Sequence, residues 1–113
     1  MTIPEQTYVF RGVVTRVVDG DTLDIDLDVG LHCHRLERLR LLRVNAPEMR
    51  GETKAAGEAA LKFVRDWVYS ATAITVQTYK GDAFGRYLAE VWRHDGANLS
   101  DDLLANGHAV PYP

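Results

Sequence analysis

From Leu23 to Val29 the chain alternates without a break: Leu23, Ile25, Leu27 and Val29 stand against Asp24, Asp26 and Asp28. A period of two describes a strand with one dry face and one wet face. Gly30 turns the chain, and Leu36, Leu39, Leu41, Leu42 and Val44 mark a return strand. Apolar residues on both faces near the end of that strand predict burial on both sides. The three aspartates lie beside an arginine-rich neighbour, which would neutralise them across the ladder. Residues 8–18, rich in β-branched and aromatic side chains, read as a strand preceding this hairpin, with Gly12 marking a bulge or bend. Asp19-Gly20 is the turn between them.

Downstream, Pro47 cannot donate to a ladder and breaks the strand. Ala56, Ala60, Phe63, Val64, Trp67 and Val68 then recur at helical spacing, which predicts an amphipathic helix over 53–70 with Trp67 in the core. Strands are expected over 73–79 and 86–94, separated by a loop over 80–85. Asn98 has the character of an N-cap, Leu99, Leu103 and Leu104 form the apolar side of a short helix, and Gly107 ends it. Three strands, a helix, two strands and a helix make an α+β, mainly β, chain. Five short strands with a helix between the third and fourth also match a five-stranded OB-fold Greek-key barrel, a step beyond what the pattern alone supports. With 113 residues, a single domain over 1–113 is expected.

The formal net charge of −3 argues against a nonspecific polyanion binder. The charges are unevenly spread, however. Every charge within 17–30 is an aspartate, whereas Arg35, Arg38, Arg40, Arg43, Arg50 and Lys54 crowd the next stretch. That order suits a cation site beside an anion site, and equally a solvated hairpin with cross-strand ion pairs. The one cysteine, Cys33, allows no internal disulfide. No basic start precedes an apolar run, and no apolar run approaches the ~20 residues needed to cross a bilayer. A cytoplasmic monomer without membrane contact is therefore expected, a secreted mature form and a homodimer being the alternatives.

Several side chains stand out for chemistry. Asp19 and Asp21 flank Gly20, where a turn can bend both carboxylates toward one point and offer oxygens to a hard cation, although such turns also occur without metal. Asn45 and Glu48 follow a buried strand, either capping the next segment or pointing into a cleft with Glu48 as a general base. Arg86 opens a strand after a glycine-containing loop, as a phosphate clamp or a surface ion pair. His32 and His34 share a strand face, but no further ligands follow at zinc spacing, which favours a polar hairpin tip. Tyr112, near the end of the sequence, reads as a loose end, the alternative being an approach to a nucleotide site.

Four segments in order, "VVDGDT", "RLLRVNAPE", "FGRYLA" and "NLSDDLLANGHA", resemble the staphylococcal nuclease (thermonuclease) family over residues 13–109. The resemblance implies an OB-fold barrel with packed helices and calcium-dependent hydrolysis of DNA and RNA phosphodiesters. It implies that Asp21 binds calcium, that Asn45 stands where the family usually has a second aspartate ligand, and that Ala46 offers its backbone carbonyl. It further implies that Asp19 is an outer-shell acid, that Glu48 activates or positions the attacking water, and that Arg40 and Arg86 hold the scissile phosphate. Arg40 alternates with Leu39 and Leu41 and so faces the outer barrel wall, where a substrate phosphate would sit.

The chain departs from the family's pattern at three places. An amide at Asn45 brings no charge to a cation. Ala83-Phe84 replaces a Lys-Tyr pair that grips a nucleotide in the type member, though Phe84 retains a ring for base stacking. The family's third, C-terminal helix is expected to be missing. Two functions therefore compete: a calcium-dependent nuclease with little sequence preference acting on DNA, RNA or both, and a catalytically weak OB-fold module that binds nucleic acid or a protein partner.

Overall fold

The computed structural model describes residues 1–69, 73–81 and 85–112. Five strands close into a barrel: β1 (Val9–Asp19), β2 (Thr22–Gly30), β3 (Cys33–Leu41), β5 (Ile74–Tyr79) and β6 (Tyr87–Arg93). Their order around the barrel is β1-β2-β3-β6-β5, with β1 pairing back onto β5. All the ladders are antiparallel except that of β3 with β6, which is parallel. A two-residue strand β4 (Val44–Asn45) pairs with β7 (Val110–Pro111) outside the barrel. The helices α1 (Lys54–Tyr69) and α2 (Leu99–Ala105) pack against it. This is the expected mainly β, five-stranded OB-type barrel with two helices. Among the described residues, no helix is long and apolar enough to cross a membrane.

The alternation in β2 holds as far as Leu27, and Val29, expected on the dry face, is exposed where the hairpin leaves the barrel core. Leu23, Ile25 and Leu27 are buried in the core, while Asp24 and Asp26 sit half-buried on the other face and Asp28 is exposed. Asp24 receives Arg38 at 2.8 and 3.1 Å, and Asp26 pairs with His34 at 3.2 Å. Asp28 instead caps the backbone N–H of Gly30 at 2.9 Å, shaping the hairpin tip. The Arg38 guanidinium holds the Asp24 carboxyl below its ordinary range.

The bulges of β1 fall elsewhere than expected. The register slips between Val14 and Arg16 and between Val17 and Asp19, not at Gly12. Gly12 is instead a packing glycine, because a Cβ there would come within 2.8 Å of the Ile25 side chain. The return strand is buried on both faces at its end, at Leu39, Arg40 and Leu41, but it stops at Leu41 and not at the Pro47 segment, because the chain bends at Arg43 before resuming as β4.

Asn98 caps α2 by accepting the Asp101 backbone N–H at 2.9 Å, and Gly107 takes a φ of +72° past its end. Trp67 is buried as expected and ties α1 to α2, since its indole N–H donates to Asp102 at 2.8 Å. Between β3 and β4, Arg43 adopts a left-handed φ of +71°. Its guanidinium fixes that bend by reaching Glu90 at 2.7 and 3.1 Å, Asp101 at 2.9 Å and Asn98 at 3.2 Å.

Candidate active site

The two-residue turn between β1 and β2 and the end of β3 meet at one point on the outer wall. Thr22 pairs with Arg40 in the ladder, and the Leu41 N–H donates to the Asp21 carbonyl at 2.8 Å. Gly20 makes this turn possible. A Cβ on it would come within 2.7 Å of the Ala46 Cβ and 2.8 Å of the Ala60 Cβ, so the turn is wedged between the segment after β4 and α1. Gly20→Ala is expected to destabilise the protein by about 1–3 kcal/mol through overpacking. A fall in the urea midpoint would register this, and an unchanged midpoint would show that the wedge relaxes at no cost.

Asp21 lies at the centre of the cluster. Its Oδ1 accepts the Thr22 hydroxyl at 3.1 Å, and its Oδ2 accepts the Ala46 backbone N–H at 3.0 Å. Asp19 accepts the Asp21 backbone N–H at 3.0 Å. Burial pushes the Asp21 carboxyl above its ordinary pKa, with Asp19 adding to the rise, while the Ala46 N–H and the Arg40 guanidinium oppose it.

Arg40 lies on the outer face as its parity predicts, but it is covered and not exposed. Only 9% of the residue is accessible. Its Nη1 donates to the Leu41 carbonyl at 2.9 Å, and its Nη2 donates to the Val44 carbonyl at 3.0 Å and the Asn45 Oδ1 at 3.3 Å. Nη2 also lies 3.7 Å from the Asp21 Oδ2. Tyr112 is not the loose end that its position suggests. Its ring stacks on the Arg40 guanidinium, 4.8 Å from ring centroid to Cζ, and its N–H donates to the Arg43 carbonyl at 2.9 Å. The β4–β7 ladder positions this cover. No signal in the local pattern reveals it, because two-residue strands have no period.

The structure thus brings Asp19, Asp21, Arg40, Asn45 and Ala46 together, with Thr22 and Tyr112 added. Glu48 stands apart from these contacts. Its side chain is 70% exposed, and its carboxylate accepts Arg50 Nε at 3.2 Å. Its backbone is pinned, since the carbonyl accepts the Thr53 hydroxyl at 2.8 Å and Gly57 of α1 packs directly on it. Arg86 is half-buried immediately before β6, in phase with Leu88, the residue paired with Arg40. That parity sets Arg86 on the outer face of the strand parallel to Arg40's own. Phe84 lies outside the described residues. His32 and Cys33 are exposed at the hairpin tip, and among the described residues no three His, Cys, Asp or Glu side chains gather into a metal-holding group.

The donors nevertheless fit a hard divalent cation. They are all oxygens, from the Asp21 carboxylate, the Asn45 amide and the Ala46 carbonyl, with Asp19 behind them. Burial, with Asp19 adding to it, raises the Asp21 pKa, and a bound cation would favour the charged carboxylate.

The family model described as staphylococcal nuclease homologue matches residues 38–113. An uncharacterised endonuclease of Escherichia coli O157:H7 is 30% identical over 102 residues, which is 90% of this chain and 61% of that protein. Endonuclease YhcR of Bacillus subtilis (strain 168) is 29% identical over 113 residues, covering 91% of this chain and 9% of its own length. Protein ParB of Escherichia coli is 35% identical over 82 residues, 73% of this chain and 41% of that protein. The chain therefore spans about three fifths of the first of these relatives and less of the others. On the match to the family model, the chain belongs to the staphylococcal nuclease homologue family.

Proposed function

We propose that this chain is a calcium-dependent nuclease that hydrolyses phosphodiester bonds of DNA, RNA or both with little sequence preference. The observation that carries the reading is the desolvated Asp21 carboxylate set beside Asn45, Ala46 and a buried arginine. The Asp21 carboxylate, the Asn45 amide oxygen and the Ala46 carbonyl would hold the ion, with Asp19 supporting Asp21. When bound, calcium supplies positive charge that offsets the phosphodiester anion and its more negative transition state. Arg40 and Arg86 complement that charge from the protein side and orient the phosphate. Arg40 keeps N–H groups beyond the three hydrogen bonds it donates inside the protein, since a guanidinium carries five. Glu48 takes a proton from the attacking water, a role its solvent-facing carboxylate reaches by leaving Arg50.

The exposed, Arg50-bound state of Glu48 favours a second reading, in which the barrel binds nucleic acid or a protein without cutting. Incubation with denatured DNA and calcium, with and without a chelator, separates the two. Chelator-sensitive degradation is expected, and binding without degradation would favour the module.

The amide at Asn45 makes a further prediction. Asn45→Asp adds a charge within reach of both the ion and Arg40, and calcium affinity should rise about 10- to 100-fold, the scale on which coordination-shell changes act. Calorimetry reads this directly, and unchanged affinity would remove Asn45 from the ligand set.

A further inference from the structure

Arg35, Arg38, Arg43, Arg50 and Arg93 each pair with a carboxylate. Arg11, Arg16 and Arg65 make no hydrogen bond or ion pair among the described residues. Two of these three line one furrow of about 450 Å³ from opposite elements, Arg16 on β1 and Arg65 on α1. Its floor is apolar, formed by Val14, Val17 and Val68, and Tyr69 stands beside it with 83% of its surface exposed. Through Val14, Val68 and Tyr69 the furrow continues into a recess of about 190 Å³. The third, Arg11, lies in a separate hollow with Asp26 and Asp28, whose charge would repel an anion.

The neighbouring acids of the furrow are already offset. Asp66 accepts Lys62 at 3.0 Å, and Asp24, which lies opposite Arg16 in the ladder and feels its charge, is hydrogen-bonded by Arg38 and leaves Arg16 without a direct ion pair. In a chain of net charge −3, two arginines without ion-pair partners over an apolar floor, beside an exposed ring, are complementary to a backbone of phosphates carrying unpaired bases. The furrow also leads away from the candidate site. Arg16 precedes Asp19 on the same strand, and α1, which carries Arg65, touches the Asp21 turn at Ala60.

We propose that this furrow is a track for single-stranded nucleic acid leaving the cleavage site, with phosphates on Arg16 and Arg65 and a base stacked on Tyr69. The inference rests on the nuclease reading for its substrate class. A duplex hides its base faces from Tyr69, so a single strand is the committed ligand.

Binding of a short labelled oligothymidylate to the intact chain, measured by anisotropy with chelator present, tests the track without cleavage. Replacing both arginines, Arg16→Gln with Arg65→Gln, should weaken binding about tenfold at low salt. The same change should lower the slope of log K against log salt by about 1.4, because each phosphate no longer neutralised subtracts about 0.7. Tyr69→Ala should also weaken binding about tenfold. With calcium, both variants should hydrolyse a mononucleotide nitrophenyl diester at the wild-type rate, while KM for denatured DNA rises.

Unchanged affinity and salt slope would overturn the track, as would a duplex of equal length binding as tightly. An equal fall in rate on the small diester and the polymer would also overturn it, since the side chains would then act through the fold. If neither substrate is cleaved but the variants still bind more weakly, the nuclease reading fails and the track stands. Cleavage with unchanged binding overturns the track alone.

Discussion

Glu48→Gln is expected to leave the protein folded and to lower the calcium-dependent cleavage rate by about 10²- to 10⁴-fold, the range that a positioned general base contributes. The two halves of this expectation have separate causes. The side chain is 70% exposed and, among the described residues, its carboxylate hydrogen-bonds Arg50 alone, so stability should change by no more than about 0.5 kcal/mol. The amide keeps the size and most of the hydrogen bonding but cannot accept a proton from water. The backbone anchors at Thr53 and Gly57 remain, so the side chain starts from the same place. A thermal melt and a single-turnover assay on one sample read both halves. A variant that still cuts at the wild-type rate would strip Glu48 of its catalytic role and shift the balance toward the binding module.

Arg40→Ala has the opposite profile, with function and stability falling together. Its removal leaves the Leu41 and Val44 carbonyls and the Asn45 amide oxygen without their donor. It also leaves the half-buried Asp21 carboxylate without the positive charge 3.7 Å away. Breaking a buried charge pair in this way costs about 3–5 kcal/mol. With a urea slope of about 1–3 kcal/mol/M, the unfolding midpoint should fall by at least about 1 M. Arg40→Lys should recover part of the stability but little activity, because an ammonium restores the charge without the planar fork. If Arg40→Ala proved inactive yet as stable as the parent, the guanidinium would serve the phosphate alone, and its hydrogen bonds to the β3–β4 bend would carry no net energy.

Much of this is legible in the sequence, and the exceptions share a cause. The β2 alternation as far as Leu27, the period of α1 and the cap at Asn98 follow from local pattern, and each is observed. Asp21 and Arg40 meet because ladder register places Thr22 opposite Arg40, a pairing that the hairpin pattern allows but does not specify. The covering of Arg40 is not legible. Alternation says which face a side chain takes but not what lies over it, and here the cover is Tyr112, far away in sequence. Gly12 misleads for a similar reason, because a glycine in a strand marks either a bulge or a close neighbour, and only the packing against Ile25 decides between them. Arginines without ion-pair partners are likewise invisible in composition, since pairing is a property of the assembled surface.

The stacking of Tyr112 on Arg40 has a consequence for biosynthesis. A ribosome delivers the Asp21 turn and Arg40 early, but the residues that cover the guanidinium emerge only after both helices and the remaining barrel strands. A nascent chain therefore leaves this arginine uncovered by Tyr112 until the last strand has emerged. Of the contacts described for Arg40, the one with Tyr112 is therefore the last that synthesis supplies.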